Sequence, residues 1–463
     1  MSKTDHEVRL PCSFRDPVIT KMDMADNDLD PHEISRRLMM HRIISVAALP
    51  PMMALPVRAA DSPHGMVAAD GTTDVALLSQ AWNAFCDELK KTGQIPIAAT
   101  LPGNEQDRVA GYLQLFRNLS LAFDFHYEFN DPLFPEFMRY FGPTRKQGGD
   151  NSDAVYVGAT ISGDYDYRIS GYRGTARYMS IVLVDEGDTP WGGKASRPLF
   201  GHEIETDENG RFELIISRKR HAGNWMKSGQ NTFRVTIRQY FADWENERPM
   251  RAFIERISGP KVRAPALSQK KLADGLVESV RWLQQSVVYW PEMLERWRPY
   301  RNLFKSYWAL EENKIDATPG GDPLVCYWEL APEDALIIRV RPPRCPYWCV
   351  EFGNCWWETV DYRYRLANTN MHYAQMEDNG DLIVVVSHVD PGVPNWLDCS
   401  GFSCGYVTYR WMLSEEQPVP KVEQVEIEKL PDFLPKDVKR ISPDQRAEQI
   451  RTRRRGMLAR FGN

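Results

Sequence analysis

Three residues with acid and base chemistry lie close together in the stretch DLIVVVSHVDPGVPNWLDCSGF. His388 and Asp390 directly follow an apolar run, and Asp398 comes after a loop that two Pro and one Gly make stiff. A His beside a carboxylate can accept and return a proton near neutral pH. We therefore predict His388, Asp390 and Asp398 as catalytic groups. The alternative is structural: Asp390 caps the Pro-Gly turn, and His388 ends a strand with a backbone hydrogen bond.

Arginines and aromatic residues flank this stretch on both sides. The preceding segment reads RPPRCPYWCVEFGNCWWETVDYRYR, and the following one reads YVTYRW. A guanidinium offers paired donors to a carboxylate or an oxyanion, and Trp and Tyr rings give flat walls to an apolar molecule. The alternative is that the arginines pair with carboxylates on a sheet face. The predicted substrate-binding residues are Arg341, Arg344, Tyr347, Trp348, Trp357, Tyr362 and Arg410, with Arg173 and Tyr178 from an upstream segment.

The segment that carries these residues has a fainter copy upstream. Asp207–Tyr240 and Glu377–Trp411 both contain Asn-Gly, an apolar strand ending in Ser, a Pro or Gly loop, Asn-Trp, and a strand with Arg beside an aromatic residue. Such alternation is typical of β-strands, and Asn-Gly predicts a type I′ hairpin turn. We interpret the likeness as an internal duplication.

The duplication separates two kinds of position. Residues that both copies share, such as the Gly of the Asn-Gly turn and the Trp of Asn-Trp, are most simply required by the fold. Positions at which the copies differ are better functional candidates. The three catalytic candidates belong to the second kind, because the first copy has Arg218 and Arg220 in that region and no carboxylate after its Asn-Trp.

These patterns predict a mainly β protein with α additions, in which duplicated antiparallel β-sandwich units are joined by a helical segment. Apolar residues recur every three or four positions in the segments outside the sandwiches. The predicted plan is a leader and linker over 1–70, a helical N-terminal segment over 71–150, a first β-sandwich unit over 151–260, a helical insert over 261–318, a second β-sandwich unit over 319–417, and an extended arm with a basic C-terminal helix over 418–463.

The composition excludes several classes of function. A formal charge of −6 gives no basic field, so nucleic acid is not an expected partner. No apolar run has the length that spans a bilayer. The sequence contains no P-loop, dinucleotide fingerprint, nucleophile elbow or HExxH motif, so we expect no cofactor.

The eight cysteines of the chain lack CxxC spacing. Their spacing predicts buried free thiols and no metal, with a disulfide as the alternative in an exported protein.

The N-terminal region contains a candidate export signal. Ser35-Arg36-Arg37-Leu38 precedes an uncharged stretch from Ile43 to Val57. This order is similar to a twin-arginine signal and predicts a periplasmic protein. The alternative is a helix that packs on the domain of a cytoplasmic protein.

The C-terminal region predicts a capped, basic helix. Ser442-Pro443-Asp444-Gln445 combines an N-cap, a Pro in the first turn and a capping box, and several arginines follow. We expect this helix to dock on the acidic body or on a neighbouring subunit, which would form a homo-oligomer. An RNA-binding tail is the alternative.

The stretches RPPRCPYWCVEFGNCWWETVDYR and VDPGVPNWLD resemble a bacterial family known as domain of unknown function 1214. The likeness covers about Pro323–Glu416, and the GNW, RQYFADWENERP and SPDQRAEQIRTRRR segments are also similar. The resemblance implies β-sandwiches with helical additions and a role in the catabolism of aromatic or terpenoid compounds, without settled catalytic residues. Many relatives have Gly-His soon after Asn-Trp-Leu-Asp, where this chain has Gly401-Phe402. If that His is catalytic, this chain lacks it.

These features predict a cofactor-independent lyase, isomerase or hydrolase that acts on a small aromatic or hydrophobic molecule. The alternative is a non-catalytic β-sandwich protein that binds a small molecule or a carbohydrate by stacking.

Overall fold

A computed structural model of the chain describes residues 75–99, 103–311 and 318–462. The predicted leader, with its twin-arginine motif, lies outside the described residues. Among the helices that are described, none has the length and apolar character needed to cross a membrane.

Helices cover the N-terminal part, the middle and the C-terminal end of the described chain. The predicted helix starts at Ser268 and Ser442 are both observed, since each hydroxyl accepts the backbone N–H three residues later, at 3.1 and 3.3 Å. The helix over Glu105–Phe123 ends in a π-helical turn over Asp124–Glu128. The helices are α1 (Val75–Thr92), α2 (Ile95–Ala98), α3 (Glu105–Phe123), α4 (Gln269–Trp297), α5 (Tyr307–Glu311), α6 (Leu430–Phe433) and α7 (Pro443–Phe461).

The strands of the described residues form two β-sandwiches. Those of the first are β1 (Met138–Arg139), β2 (Ala154–Thr160), β3 (Tyr167–Tyr172), β4 (Tyr178–Asp185), β5 (Leu199–Phe200), β6 (Arg211–Ser217), β7 (Trp225–Lys227), β8 (Thr232–Tyr240) and β9 (Arg251–Arg256). Those of the second are β10 (Lys305–Ser306), β11 (Leu324–Glu329), β12 (Asp334–Val340), β13 (Tyr347–Asn354), β14 (Asn368–Asn370), β15 (Leu382–Ser387), β16 (Trp396–Asp398), β17 (Cys404–Met412) and β18 (Lys421–Glu426).

The two sandwiches have the same strand order. The first packs β1-β2-β8-β4-β5 against β7-β6-β3-β9, and the second packs β10-β11-β17-β13-β14 against β16-β15-β12-β18. The short β6–β7 and β15–β16 pairs are parallel at equivalent places, and the other named pairs are antiparallel. The predicted fold class of duplicated, mainly antiparallel β-sandwiches with helical additions is confirmed.

The Asn-Trp pairs shared by the copies make equivalent contacts. Trp225 Nε1 donates to the Ser217 carbonyl at 3.2 Å, and Trp396 Nε1 donates to the Ser387 carbonyl at 3.1 Å. The adjacent Asn side chains also form matching sets of backbone hydrogen bonds. These two positions therefore maintain the strand ends in both sandwiches.

The Asn-Gly turns differ from the predicted type I′ geometry. Gly210 and Gly380 have φ angles of 75° and 85°, but the preceding Asn209 and Asn379 are not in the positive-φ region. Each turn closes with a hydrogen bond from the Gly N–H to the carbonyl three residues earlier. The type I′ prediction is wrong, because the loop is a type I turn followed by a left-handed Gly.

Each sandwich presents its five-stranded sheet to the other. Alternate residues of β8 and β17 point into their own core, and the residues between them point across the interface. Tyr240 of β8 stacks on Tyr347 of β13, with ring centroids 5.4 Å apart and planes 10° apart. The facing sheets thus enclose a layer of side chains that belongs to neither sandwich core.

Helix α7 crosses both sandwiches through buried arginines. In the second sandwich Arg446 Nε lies 2.8 Å from Asp390 Oδ2, and Arg453 donates to the Asn368 carbonyl. Arg460 donates to the Ser152 carbonyl, which precedes β2 of the first sandwich, at 2.9 Å. The helix therefore docks on the body of its own chain, and an oligomer formed through this arm stays a prediction. The arm also supplies β18, which the sequence pattern did not predict.

Candidate functional site

A cavity lies between the two five-stranded sheets. Its volume is about 90 Å³, and it is partly open to the surface. Sites for drug-sized ligands have roughly 300–1,000 Å³, so this cavity suits a small molecule. The lining residues are Tyr140, Phe141, Gly148, Gly149, Tyr156, Trp191, Arg234, Thr236, Arg238, Trp290, Tyr307, Thr318, Pro323, Val325, Trp357, Thr408 and Arg410.

The central strands of the facing sheets supply the same motif to the cavity. β8 reads Val-Thr-Ile-Arg over 235–238, and β17 reads Val-Thr-Tyr-Arg over 407–410. Side chains alternate along a strand, so the Thr and Arg of each motif point the same way, out of their own core. Thr236 and Arg238 therefore meet Thr408 and Arg410 at one cavity.

Arg410 is a buried cation without a hydrogen bond or an ion pair to the described residues. The residue is 8% exposed, and its Nε is buried without an acceptor. Burial alone lowers the pKa of Arg410, but the neighbouring Tyr240 and Tyr156 outweigh it and raise the pKa overall, so the guanidinium stays charged. A buried, unpaired charge costs several kcal/mol. A bound anion would remove that cost.

The charge of Glu351 contributes to the raised pKa of Arg410, but the carboxyl group forms no hydrogen bond or ion pair with the guanidinium. Burial, followed by the charges of Asp153 and Asp150, raises the pKa of Glu351 well above its ordinary value. Glu351 also accepts the Ser152 N–H at 2.9 Å. Burial thus disfavours the charged form of Glu351, and its hydrogen bonds go to Ser152.

Further donors in the cavity wall also lack acceptors. Thr408 Oγ1, Trp191 Nε1 and Trp290 Nε1 are buried without a hydrogen-bond partner among the described residues. An indole N–H can only donate. The described lining residues include three arginines and no carboxylate. Donors and positive charge thus predominate, which favours a ligand rich in acceptors.

Arg234 lies within a group of aromatic rings at the cavity wall. Its guanidinium carbon is 4.9 Å from the ring centroid of Phe233 and 5.4 Å from that of Trp191, and Tyr140 and Phe125 are slightly more distant. Its Nη2 donates to the Trp191 carbonyl. The rings hold this cation in place and give the cavity an apolar side beside its charged one.

Trp357 forms part of the aromatic wall in a strained conformation. Its φ is 59°, which is rare for a bulky residue. The indole packs on Tyr406, with centroids 4.2 Å apart, and the Trp357 carbonyl accepts the Gly149 N–H at 2.8 Å. A Cβ on Gly149 would lie 2.5 Å from Trp357 Nε1. Backbone strain of this kind is concentrated at ligand sites.

A chain of hydroxyl groups begins at the cavity wall. The Tyr156 and Tyr240 hydroxyl oxygens are 3.2 Å apart, and the Tyr240 oxygen is 2.8 Å from Thr318 Oγ1. Tyr156 and Thr318 both line the cavity. Each hydroxyl can donate and accept, so the chain can pass a proton.

Two of the predicted binding residues, Arg410 and Trp357, line this cavity. Tyr347 and Tyr178 lie at the same interface outside its lining, where their hydroxyls donate to Asp153 Oδ2 and to the Pro319 carbonyl. These two residues are therefore part of the packing that holds the sandwiches together.

The other predicted binding residues lie away from the cavity. Trp348 is buried in the second sandwich core, and Tyr362 is buried beneath Lys146, whose Nζ is 4.3 Å from the ring centroid. The remaining arginines have these positions: Arg341 pairs with Asp381 at 2.9 Å, Arg344 is exposed, and Arg173 donates to the Gly201 carbonyl at 2.7 Å.

The predicted catalytic residues do not line the cavity. Asp390 pairs with Arg446 of α7, and Asp398 accepts a hydrogen bond from Arg365 at 3.0 Å. His388 follows β15 and is half-buried, and its Nε2 has no hydrogen-bond partner among the described residues. Their catalytic role stays a prediction, but both carboxylates have structural partners.

Sequence reasoning missed most of the cavity residues. The duplication pairs Arg238 with Arg410, but only Arg410 is among the predicted binding residues. The repeated Val-Thr-x-Arg is the signal that identifies both walls. Tyr140, Trp191 and Trp290 had no such signal, because they come from loops and a helix far from either copy.

One group of potential metal ligands occurs among the described residues. Donor atoms of Asp107, Cys355 and Cys404 lie within 4.8 Å of one another. Asp107 accepts the Ser403 N–H at 3.2 Å and belongs to the capping box of α3. A hydrogen bond with Cys404, followed by burial, raises the pKa of the Cys355 thiol well above its ordinary value. We therefore assign the group to packing and capping.

Comparison with known proteins adds family membership and no activity. A family model described as "Protein of unknown function (DUF1214)" matches residues 152–243, which lie mainly in the first sandwich. An uncharacterized protein from Burkholderia cenocepacia is 30% identical, with a TM-score of 0.72 over 76% of this chain and 99% of that chain. A Vibrio parahaemolyticus protein is 12% identical, with a TM-score of 0.40 over 68% of this chain and 98% of that one. No curated protein matches. The chain belongs to the DUF1214 family of proteins of unknown function.

Proposed function

We propose that this protein binds a small organic anion with an apolar or aromatic body in the cavity between its two sandwiches. The observation that carries the proposal is Arg410, a charged and buried guanidinium without a partner among the described residues. A ligand carboxylate would accept two parallel hydrogen bonds from it. Thr408 Oγ1 and Trp290 Nε1 would supply further donors.

The apolar part of the ligand would contact the aromatic wall. Trp191, Trp290 and Trp357 provide flat surfaces beside the donors. A cavity with a few fixed polar groups among aromatic walls is typical of small-molecule sites. The small volume favours a single ring or a short chain over an oligosaccharide.

The test compares charged and uncharged ligands of the same shape. Calorimetric titration with benzoate, phenylacetate and their primary amides should show binding of the acids and at least about tenfold weaker binding of the amides. Arg410→Gln should abolish this preference, whereas Arg341→Gln, which changes an exposed arginine, should preserve it. Equal binding of acids and amides by the wild-type protein would refute the proposal.

Our second candidate function is catalysis, in which the protein transforms the bound anion. The chain of hydroxyl groups that begins at Tyr156 favours this function. Proton transfer through Tyr156 and Tyr240 needs no cofactor, which agrees with the predicted lyase, isomerase or hydrolase. Mass spectrometry of the titrated acids would detect turnover. We expect Tyr156→Phe to stop turnover while leaving binding in place. His388→Ala, applied to the same reaction, tests the prediction made from the sequence.

We also propose that the ligand is a catabolic aromatic acid and that the protein is periplasmic. The support is the family resemblance and the Ser35-Arg36-Arg37-Leu38 sequence before an uncharged run. Cell fractionation of the full chain and of an Arg36→Lys, Arg37→Lys variant tests the location. We expect the variant to stay in the cytoplasm and the unaltered chain to reach the periplasm.

A further inference from the structure

We infer that the anion bound at this site also carries a neutral oxygen acceptor, such as a ketone, which the indole N–H of Trp290 binds. This inference rests on the proposed anion site and names the class of its ligand, an oxo acid. Trp290 lines the cavity and is 4% exposed, and its Nε1 is buried without a hydrogen-bond partner among the described residues. An indole N–H can only donate, so the group that pairs with it has to be an acceptor.

The carboxylate of the ligand has its donors on another wall of the cavity. Arg410 and Thr408 are two residues apart on β17, so their side chains point the same way. Thr408 Oγ1 also lacks a partner among the described residues and can donate to a carboxylate that pairs with Arg410. Trp290 comes from α4 instead. Its N–H is therefore left for a second group of the ligand.

The loop before β2 holds the Trp290 ring in place at the cavity wall. Gly148 lines the cavity with a φ of 65°, and an added Cβ would lie 3.1 Å from Trp290 Cζ2. The backbone can approach the indole this closely because the position has no side chain. The close packing fixes the ring and with it the direction of its donor.

The second ligand group is neutral because the cavity leaves no free charge for it. Of the other arginines in the lining, Arg234 donates to the Trp191 carbonyl, and Arg238 has interactions of its own within the protein. An indole N–H has no net charge and cannot offset a second carboxylate. A ketone oxygen loses less hydration on burial than a carboxylate does, so it suits an uncharged donor.

The experiment compares acids that differ only in the acceptor. Calorimetric titration of the wild-type protein would use meta- and para-acetylbenzoate, each with the matching isopropenylbenzoate, in which a methylene group replaces the ketone oxygen. Levulinate and its methylene analogue form the short-chain pair. We expect at least one ketone to bind about fivefold more tightly than its partner, or better, because a site with a buried donor rejects a ligand that leaves this donor unpaired.

A Trp290→Phe variant keeps an aromatic ring and removes the donor. It should bind the ketone and its methylene partner alike, while its affinity for benzoate changes little. Trp82→Phe, at a position that is 56% exposed, is the control and should keep the preference for the ketone. Nuclear magnetic resonance of the indole N–H groups gives a second readout, since the ketone, and not its methylene partner, should shift the Trp290 signal downfield.

The outcomes separate this inference from the proposed function. If each ketone binds only as tightly as its methylene partner, the neutral acceptor is excluded while the anion site stands, as expected if the carboxylate itself or water pairs with the indole. If Trp290→Phe keeps the preference, the assignment to Trp290 is wrong. If no acid binds, the proposed function fails as well. The wild-type comparison decides this even when the variant does not fold.

Discussion

We expect Arg410 to favour anion binding and to reduce the stability of the ligand-free protein. Without a ligand it is a buried charge that has no hydrogen bond or ion pair to the described residues. We expect Arg410→Met to raise the free energy of unfolding of the ligand-free protein by about 1–3 kcal/mol, because an apolar side chain of similar size avoids the desolvation cost. Chemical denaturation with urea measures the change.

Arg446 provides the matched comparison for that prediction. It is equally buried, but it pairs with Asp390 and donates to several carbonyls. Arg446→Met should lower the free energy of unfolding by roughly 3 kcal/mol, since it leaves those acceptors unpaired. A loss of stability in both variants would show that Arg410 has a partner in the native protein.

His126 makes stability depend on pH. Burial, with the nearby charge of Arg281, lowers the pKa of His126 to about 4. The unfolded chain binds the same proton near pH 6.5, so acidification from pH 7 to 4 favours unfolding by up to about 3 kcal/mol. Thermal unfolding across this range should show a smaller acid loss in His126→Asn than in the wild-type protein. His202→Asn, at an exposed position, should retain the full loss.

At the scale of single elements, the loop before β2 shapes the cavity through Gly149. Its φ is 67°, and an added Cβ would meet the Trp357 indole. Gly149→Ala should lower the melting temperature and weaken anion binding, because Trp357 has to move. Gly392→Ala is the control: its φ is 70°, but nothing lies within 4 Å of its Cβ position. The Gly392→Ala substitution should lower the free energy of unfolding by only about 1 kcal/mol, through backbone strain, and should leave anion binding unchanged.

The same scale shows which structure could be predicted from sequence. The strand alternation and the Ser442 cap depend on neighbouring residues, so local patterns predicted them correctly. β18 has few apolar residues, so its sequence does not predict a strand. Its backbone is held in the sheet by antiparallel pairing with β12. The sequence predicts the positions of the Asn-Gly turns correctly. The predicted type I′ geometry is wrong, because only the Gly of each pair has a positive φ.

The cavity could not be predicted from the sequence because its walls meet only in the folded molecule. Its walls come from residues as far apart in sequence as Tyr140, Trp290 and Arg410. A single sequence contains no signal for such contacts. The duplication pairs Arg238 with the predicted binding residue Arg410, but the sequence does not show that the two copies face each other across a cavity.

The two sandwiches should unfold together because α7 joins them. The helix contacts Asp390 and Asn368 in one sandwich and Ser152 beside the other. Calorimetry should show one transition for the full chain. A chain that ends at Ile441 should melt in two steps or at a clearly lower temperature, whereas Arg454→Ala, on the exposed side of the helix, should melt like the wild-type protein. An unaltered transition after truncation would exclude the bridging role of α7.

The placement of the cavity between two linked copies also affects how the site can evolve. In a symmetric dimer of single sandwiches, every substitution alters both walls at once. In this chain each wall can change alone. The strand register shows one such difference. Tyr156 lies opposite Arg238, whereas Leu324 lies opposite Tyr409, which places Pro323 beside Arg410. The fused chain can therefore keep the same Arg on both walls and still give each one different neighbours.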